Sequence, residues 1–238
     1  MKVLFIGNSH TFFNDMPRTF ARLCKAGANI NVDAVMLSHP GMTLEWHLAQ
    51  YYELRYNLLF GKYDYCVIQQ GAHPFPGREE TLRDLARIID LCRKGGTKPV
   101  VTMTWAEKRF PENQQKMIDT YNEAAKEEDV LLAPVGKVWQ HMLASHPEVD
   151  LFWMDGEHAS PLGDYLIACV LYHVITLNSP VGLPNIGTDF LKGMEISLDK
   201  MAAIEDLSQL DDLLDPAACT AIQETVLEVC HSCGLHGC

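Results

Sequence analysis

Apolar residues along this chain form short continuous runs, which alternate with longer stretches where apolar positions recur every three or four residues. Near-continuous runs of Val, Ile and Leu are typical of parallel strands buried on both faces, and the longer spacing is typical of amphipathic helices. The runs predict five β-strands, over residues 2–7, 31–37, 63–70, 98–104 and 130–135. The longer spacing predicts α-helices near residues 16–27, 43–59, 79–94, 112–128, 137–144 and 162–176.

The order of these elements predicts the fold class. Strand and helix alternate with short connections, which favours parallel pairing through right-handed crossovers and hence an α/β three-layer sandwich with a five-stranded parallel sheet. A Pro- and Gly-rich segment then predicts an ordered loop over residues 179–187. Two amphipathic helices are expected near residues 196–213 and 216–230, the second opening with Asp215 as its cap and Pro216 at its first position.

Charge is distributed unevenly along the 238 residues, whose formal net charge is −12. Residues 1–194 hold 22 acidic and 18 basic residues, whereas residues 195–238 hold 9 acidic residues and 1 basic residue. We therefore expect a sandwich domain over the first range and an acidic helical extension over the second, packed on that core or on a partner, with oligomerisation through its helices as one outcome. An acidic chain lacks the basic face that nucleic acids and anionic membranes require, so neither is expected as a main partner.

Apolar length and cysteine placement bear on the compartment. No run reaches the ~18 consecutive apolar residues of a membrane span, and the N-terminal run has no small-residue cleavage site, so a cytoplasmic protein is expected. Cys24, Cys66, Cys92 and Cys169 stand singly in apolar stretches, which predicts reduced core residues. For the Cys/His-rich end at 230–238, the alternatives are a zinc site, a redox or disulfide role, and a plain reduced tail.

Residue types with chemical potential follow the ends of the predicted strands, where an open parallel sheet binds its ligands. Ser9 comes after the first strand, where helix N–H groups can stabilise an oxyanion; the alternative is that Ser9 only caps the first helix. Gly41, after the second strand, offers an unhindered N–H or is a simple turn glycine. Gln69 and Gln70 end the third strand, where an amide can donate to a developing negative charge or stabilise a turn.

Asp155 and His158 lie in the loop before the strongly apolar helix at 162–176. A histidine that activates a serine needs a carboxylate on its other ring nitrogen, and a D-x-x-H turn supplies both from one loop. This spacing arises readily by chance in a chain of this composition. The position of the motif along the chain is stronger evidence for a catalytic role than the motif itself, because the loop is expected to return to the same sheet edge as Ser9.

Four motifs in this order resemble the SGNH/GDSL hydrolases, a flavodoxin-like α/β family of serine esterases, acetylesterases and lipases. The matching segments are VLFIGNSHTF, HPGMTLEWH, VIQQGAH and MDGEHASPLGDYLIA, which together span roughly residues 2–176. The resemblance implies that Ser9 is the nucleophile, that His158 is the general base and then the general acid, and that Asp155 orients His158.

The resemblance also implies an oxyanion hole made of the N–H groups of Ser9 and Gly41 and a side-chain amide from the third motif. Here the sequence departs from the family, whose G-x-N-D pattern has an asparagine where this chain has His73. Carbohydrate-esterase relatives carry Gln-Gly at this place, so the resemblance favours Gln70 over His73 and Gln69.

Several rings fall near the same edge. His10 either lines the acyl pocket or is an exposed residue of the first helical turn. His39, Trp46 and His47 flank Gly41 in the second motif and are candidates for contact with substrate; the alternative for Trp46 and His47 is packing on the following helix. Trp105 and Trp153 either offer a face to a sugar ring or acyl chain, or belong to the core.

The implied activity is hydrolysis of a carboxylic ester through an acyl-Ser9 intermediate, without a metal or organic cofactor. The expected partner is a small O-acyl ester, above all acetyl on a carbohydrate or similar metabolite. A thioesterase or long-chain lipase on the same triad is one alternative. A non-catalytic binding protein with a metal- or partner-binding tail is another.

Overall fold

The structure, a computed structural model, describes residues 1–188 and 211–233. Its main sheet contains β1 (Lys2–Gly7), β2 (Asp33–Ser38), β3 (Tyr65–Gln69), β4 (Lys98–Thr102) and β5 (Leu131–Ala133), all parallel and in the spatial order β2-β1-β3-β4-β5. The helices described are α1 (Ser9–Phe12), α2 (Met16–Ala28), α3 (Leu44–Ala49), α4 (Tyr51–Phe60), α5 (Arg78–Lys94), α6 (Asn113–Glu128), α7 (Val135–Ser145), α8 (Pro161–Thr176) and α9 (Pro216–Cys233). A small antiparallel pair consists of β6 (Ile186–Thr188) and β7 (Asp211–Leu213).

Side chains of β1 alternate between the two faces of the sheet, as the twofold repeat of a strand requires. Val3 and Phe5 pack in one core with α2, α7, α8 and α9, while Leu4 and Ile6 pack in a second core with α3 to α6. Burial of a large apolar side chain stabilises a fold by about 1.5–3 kcal/mol. Helices thus cover both faces, and the predicted three-layer sandwich is confirmed.

The five predicted strands are confirmed with each end within two residues. The helix predicted over 43–59 is wrong in one respect, because it is divided into α3 and α4 at Gln50. Gln50 has φ −81° and ψ 56°, and its N–H donates to the carbonyl groups of Trp46 and His47. A single non-helical residue leaves the apolar spacing on either side almost unchanged, so the pattern does not reveal the break.

The C-terminal helix α9 packs against α7 and α8. Its buried residues include Cys219, Ile222, Val226 and Cys230, which recur every three or four positions. The helix predicted over 216–230 is therefore confirmed. Its apolar face lies on the sandwich core.

The helix predicted over 196–213 lies outside the described residues except for its last three, and for those three the prediction is wrong. They form β7, which pairs with β6 at the end of the segment predicted to be a loop. The Asp211 carboxylate also binds Arg18 at 2.7 Å and Arg22 at 2.9 Å, both on α2. Long-range pairing of this kind overrides a local helical pattern.

Four cysteines predicted to be reduced core residues are free and buried, which confirms that prediction; they are Cys24, Cys66, Cys92 and Cys169. At the C-terminal end, Cys230 is free and Cys233 is disulfide-bonded, while residues 234–238 lie outside the described part. Residues 1–188 and 211–233 contain no group of three or more side chains suited to hold a metal ion. None of the helices described has the length and apolar character needed to cross a membrane.

Candidate active site

The candidate site lies at the edge of the sheet where the parallel strands end. β1 has β2 on one side and β3 on the other, so the connections diverge beyond its carboxyl end and leave a crevice. Ser9, Gly41, Gly71, His73 and His158 line one cavity of about 450 Å³ in this crevice. Residues from all four sequence motifs therefore meet there.

Ser9 is the first residue of α1, directly beyond β1. The chain can turn into the helix here because Gly7 has no side chain: a Cβ at Gly7 would lie 2.2 Å from Thr11 Oγ1. Asn8 caps the helix, since its Oδ1 accepts the backbone N–H of His10 at 3.0 Å. The alternative that Ser9 caps the helix is therefore wrong, and the hydroxyl of Ser9 is left for another partner.

Ser9, His158 and Asp155 form a continuous chain of hydrogen bonds. The Oγ of Ser9 lies 2.8 Å from His158 Nε2, and His158 Nδ1 lies 2.7 Å from Asp155 Oδ2. Because an ionised carboxylate only accepts hydrogen bonds, Nδ1 carries the imidazole proton and Nε2 accepts from the serine hydroxyl. In this tautomer the histidine can take up the serine proton.

A tight turn places Asp155 and His158 in the same loop. Asp155 Oδ1 accepts the backbone N–H groups of Glu157 at 2.9 Å and His158 at 3.0 Å, and Gly156 within the turn has a φ of 73°. Partial burial opposes ionisation of Asp155, but hydrogen bonds from Glu157 and His158 outweigh it and lower the pKa of the carboxyl. Asp155 is therefore ionised at neutral pH and can stabilise an imidazolium.

The ring of His158 lies between two other rings. Phe13 stacks on it with centroids 4.4 Å apart and an angle of 25°, and His10 stacks on it at 4.6 Å and 13°. Two rings at these distances cannot share one face, so they restrict rotation of the imidazole from both sides. The contact from Phe13 was not predicted, because nothing in the sequence marks one aromatic residue near α1 as a neighbour of a loop 145 residues away.

Ser9 and Gly41 are the residues whose backbone N–H groups are predicted to bind an oxyanion. The first N–H groups of a helix have no partner within it, and Ser9 begins α1. Gly41 has a φ of 71°, and no atom lies within 4 Å of the place that its Cβ would take. Space for a ligand therefore adjoins this glycine, while its role as a donor stays a prediction.

Gln70 is fully buried and supports both neighbouring loops. Its Oε1 accepts the N–H of Leu44 at 2.9 Å and the N–H of Gly71 at 2.8 Å. Its Nε2 has no hydrogen-bond partner within the described residues. An orphaned buried donor is unusual in a folded protein. Gln70 is not among the residues that line the cavity, so its role as the third oxyanion donor stays a prediction.

The other two candidates for the third donor are engaged elsewhere. Gln69 accepts from the Thr11 hydroxyl at 2.7 Å through Oε1 and donates through Nε2 to the carbonyl of Gln70. His73 contacts His10 through Nδ1 at 3.0 Å and donates to the Trp105 carbonyl through Nε2 at 3.0 Å. Of the three side chains, Gln70 alone has a nitrogen without any hydrogen-bond partner within the described residues.

His10 is 7% exposed and lines the cavity, so the alternative of an exposed first-turn residue is wrong. Burial lowers the pKa of its imidazole well below the ordinary value, and burial also lowers the pKa of His73. The contact between these two rings was not predicted. The one signal for it in the sequence is the histidine that replaces the family's asparagine in the third motif.

The remaining rings near the edge have mainly supporting contacts. His47 is 2% exposed and donates from Nε2 to the Gly7 carbonyl at 2.7 Å, which fixes the end of β1. Trp105 is buried, and its Nε1 donates to the Glu157 carbonyl at 2.9 Å. Trp153 meets Phe13 edge to face at 6.1 Å.

Comparison with known proteins identifies the fold. The sequence matches no family model and no curated protein. A structure of a DUF4886 family protein from Bacteroides uniformis is similar, with a TM-score of 0.70, 20% identity and coverage of 96% of this chain and 94% of that one. An acetylxylan esterase from Geobacillus stearothermophilus has a TM-score of 0.60 at 16% identity, over 71% of this chain and 91% of its own. A lipolytic protein of the G-D-S-L family from Veillonella parvula has a TM-score of 0.59 at 12% identity, over 74% and 98%.

These similarities confirm the predicted resemblance at the level of the fold. The sandwich is the one found in esterases and lipolytic proteins of the SGNH/GDSL type. Because the identities are 20% or lower, the activity of this chain has to be argued from its own site.

Proposed function

We propose that this protein is a serine hydrolase that cleaves small O-acyl esters. The observation that carries the proposal is the hydrogen-bond chain from Ser9 through His158 to Asp155 in a crevice beyond the strand ends. A serine is a weak nucleophile unless a base takes its proton, and here the base and its orienting carboxylate are both in place. The fold shared with an esterase supports the same reaction class.

The first half of the proposed reaction acylates the serine. As Ser9 Oγ attacks the ester carbonyl carbon, its proton moves to His158 Nε2, and Asp155 stabilises the imidazolium that results. The negative charge on the carbonyl oxygen is met by the N–H groups of Ser9 and Gly41 and by the Nε2 of Gln70. When the tetrahedral intermediate collapses, the proton on His158 passes to the leaving alkoxide, and the alcohol departs.

The second half repeats these steps with water. His158 Nε2 takes a proton from the water molecule that attacks the acyl-Ser9 carbonyl carbon. The bond from the carbonyl carbon to Ser9 Oγ then breaks, and the proton returns from His158 to Ser9. The carboxylic acid leaves, and the enzyme is restored with no net gain or loss of protons.

The cavity has room for a small acyl group together with the alcohol that carries it. Its wall beyond β3 is formed by the compact side chains of Ala72, Pro74 and Pro76, and its volume is about 450 Å³. We therefore propose acetyl on a carbohydrate or similar metabolite as the substrate class. A solved relative of the fold that is an acetylxylan esterase is consistent with this choice.

The test compares wild type with Ser9→Ala on p-nitrophenyl esters of increasing chain length and on an acetyl thioester. We expect hydrolysis of p-nitrophenyl acetate to fall by ~10⁴-fold or more in Ser9→Ala, and a fluorophosphonate probe to label wild type only. Wild-type rates in purified Ser9→Ala would overturn the proposal. A rate that rises towards long acyl chains would favour a lipase, and a preference for the thioester would favour a thioesterase.

A non-catalytic binding protein is the alternative from a different class. It requires that wild type neither hydrolyses any ester of the panel nor reacts with the fluorophosphonate. The aligned hydroxyl of Ser9, 2.8 Å from an imidazole nitrogen, argues against it.

A further inference from the structure

A second chain of hydrogen bonds runs beside the triad. The Trp105 carbonyl contacts His73 Nε2 at 3.0 Å, His73 Nδ1 contacts His10 Nε2 at 3.0 Å, and His10 Nδ1 contacts Asn8 Oδ1 at 3.2 Å. The orientation of the Asn8 amide is fixed, because Oδ1 accepts the His10 backbone N–H and Nδ2 donates to the Met42 carbonyl at 3.0 Å. Both ends of the chain are therefore oxygen atoms that only accept.

The number of protons in this chain follows from its ends. Three contacts need one hydrogen each, and two neutral imidazoles carry two N–H hydrogens between them. In the neutral pair, one of the three contacts has no hydrogen. We assign this to the contact from His10 to Asn8, because it is the longest and therefore the weakest hydrogen bond of the three. A third proton on His10 Nδ1 completes the chain and gives the pair a single positive charge.

That charge would lie directly against the general base. The rings of His10 and His158 are stacked with centroids 4.6 Å apart. In the proposed reaction His158 must become an imidazolium, and a like charge at this distance opposes that change. A neutral pair instead holds the His10 ring in place through His73 and thereby holds His158 in line with Ser9.

We propose that His10 and His73 act as one positioning unit, an inference that rests on the proposed function. When the unit is neutral, it holds His158 over Ser9. When the unit takes up a third proton, it suppresses hydrolysis. Neither residue is assigned a chemical step. One member of the unit, His73, stands at the place in the third motif where the resembling family has an asparagine.

The charged groups around the unit set the direction of its pH dependence. Burial, together with His158, lowers the pKa of both rings, whereas Asp155 opposes this at His10, and Glu107 and Glu157 oppose it at His73. Those two glutamates are themselves bound by Arg109 at 2.6 and 2.9 Å. The unit is therefore neutral near pH 7 and becomes charged as the pH falls, so hydrolysis is retained above this change and lost below it.

The first test is the pH profile of kcat/KM, which reports groups of the free enzyme. On the acid side, wild type should fall with a limiting slope approaching two, for the proton on His158 and the proton on the unit. His10→Phe, which keeps a ring against His158, and His10→Gln both lack the nitrogen that takes the third proton, so each should fall with a slope of one. His73→Gln should lower kcat at the optimum about tenfold, with KM changed less than twofold, because the base is less well held.

A matched control is His146→Gln, since His146 lies in the loop after α7 and contacts Glu148 instead of the site. It should reproduce the wild-type slope. A slope of one in wild type, or a slope of two that persists in both His10 variants, overturns the proposal. Because the two substitutions differ in size and polarity, a folding defect in His10→Phe still leaves His10→Gln to decide.

The second test reads the unit without any substrate. In a ¹⁵N-histidine spectrum, the ring nitrogens of His10 and His73 should titrate together in a single step. His10→Phe should remove this step from the signals of His73, and the low-field proton between His158 and Asp155 should shift in the same step in wild type. Independent titration of the two rings overturns the proposal even if the esterase assay succeeds. A joint step in a protein that hydrolyses no ester would leave the unit standing and reject the proposed function instead.

Discussion

The two sides of the cavity reach their geometry in different ways. On the triad side, reactive side chains remain accessible, and the side chains of His158 and Asp155 keep 20% and 40% of their exposure. On the side beyond β3, Gln70 is fully buried, and its oxygen accepts two backbone N–H groups. On the first side the chemistry depends on which residue is present. On the side beyond β3, the proposed chemistry depends on the Nε2 of Gln70, the atom of this buried residue that has no hydrogen-bond partner within the described residues.

The largest effect should come from the triad side. His158→Ala removes the acceptor for the Ser9 proton, so we expect kcat to fall by ~10⁴-fold or more, with KM nearly unchanged. The measurement is steady-state hydrolysis of p-nitrophenyl acetate. His141→Ala on α7 provides a control with the same loss of an imidazole, and it should keep wild-type turnover. A loss of less than tenfold in His158→Ala would show that another group is the base.

A smaller effect is expected beyond β3, where two variants of Gln70 separate its two roles. Gln70→Ala removes both the acceptor and the donor, and it should lower kcat by ~10²–10³-fold. Gln70→Glu keeps an oxygen for the Leu44 and Gly71 N–H groups but has no donor when its carboxyl is ionised, so at such a pH it should lose a similar factor in kcat. Full activity in Gln70→Glu would limit Gln70 to support of the loops and return the donor role to Gln69 or His73.

The difference between the two sides of the cavity also explains which features of the fold and of the site could be predicted from the sequence. The strands were predictable because both faces of the sheet are covered, which makes the runs around Phe5 and Val100 continuous. The contact between Ser9, His158 and Asp155 was predictable because a serine, a carboxylate and a histidine follow particular elements in a fixed order. Their residue types are themselves the signal.

The contacts beyond β3 could not be predicted in the same way. Gln69 and Gln70 are adjacent and chemically identical, and only their directions in the folded chain decide that the Nε2 of Gln69 has a partner and the Nε2 of Gln70 has none within the described residues. The pairing of His10 with His73 joins residues 63 positions apart. The same holds for β7, whose three residues are held by pairing with β6 and by ion pairs to α2 rather than by local preference.

The smallest effect should come from Gly41→Ala, which tests whether a backbone donor tolerates a side chain. Its φ of 71° is left-handed, so alanine costs about 1–2 kcal/mol of stability. The N–H is retained and no atom lies within 4 Å of the new Cβ, so kcat should fall less than about tenfold. Gly182→Ala is the matched control, because Gly182 has a φ of 89° and equally open surroundings in the loop before β6. Both variants should lose similar thermal stability, and only Gly41→Ala should affect kcat. If kcat falls by 10²-fold or more in Gly41→Ala with the same change in stability, the position of this N–H limits the reaction, and not only its presence.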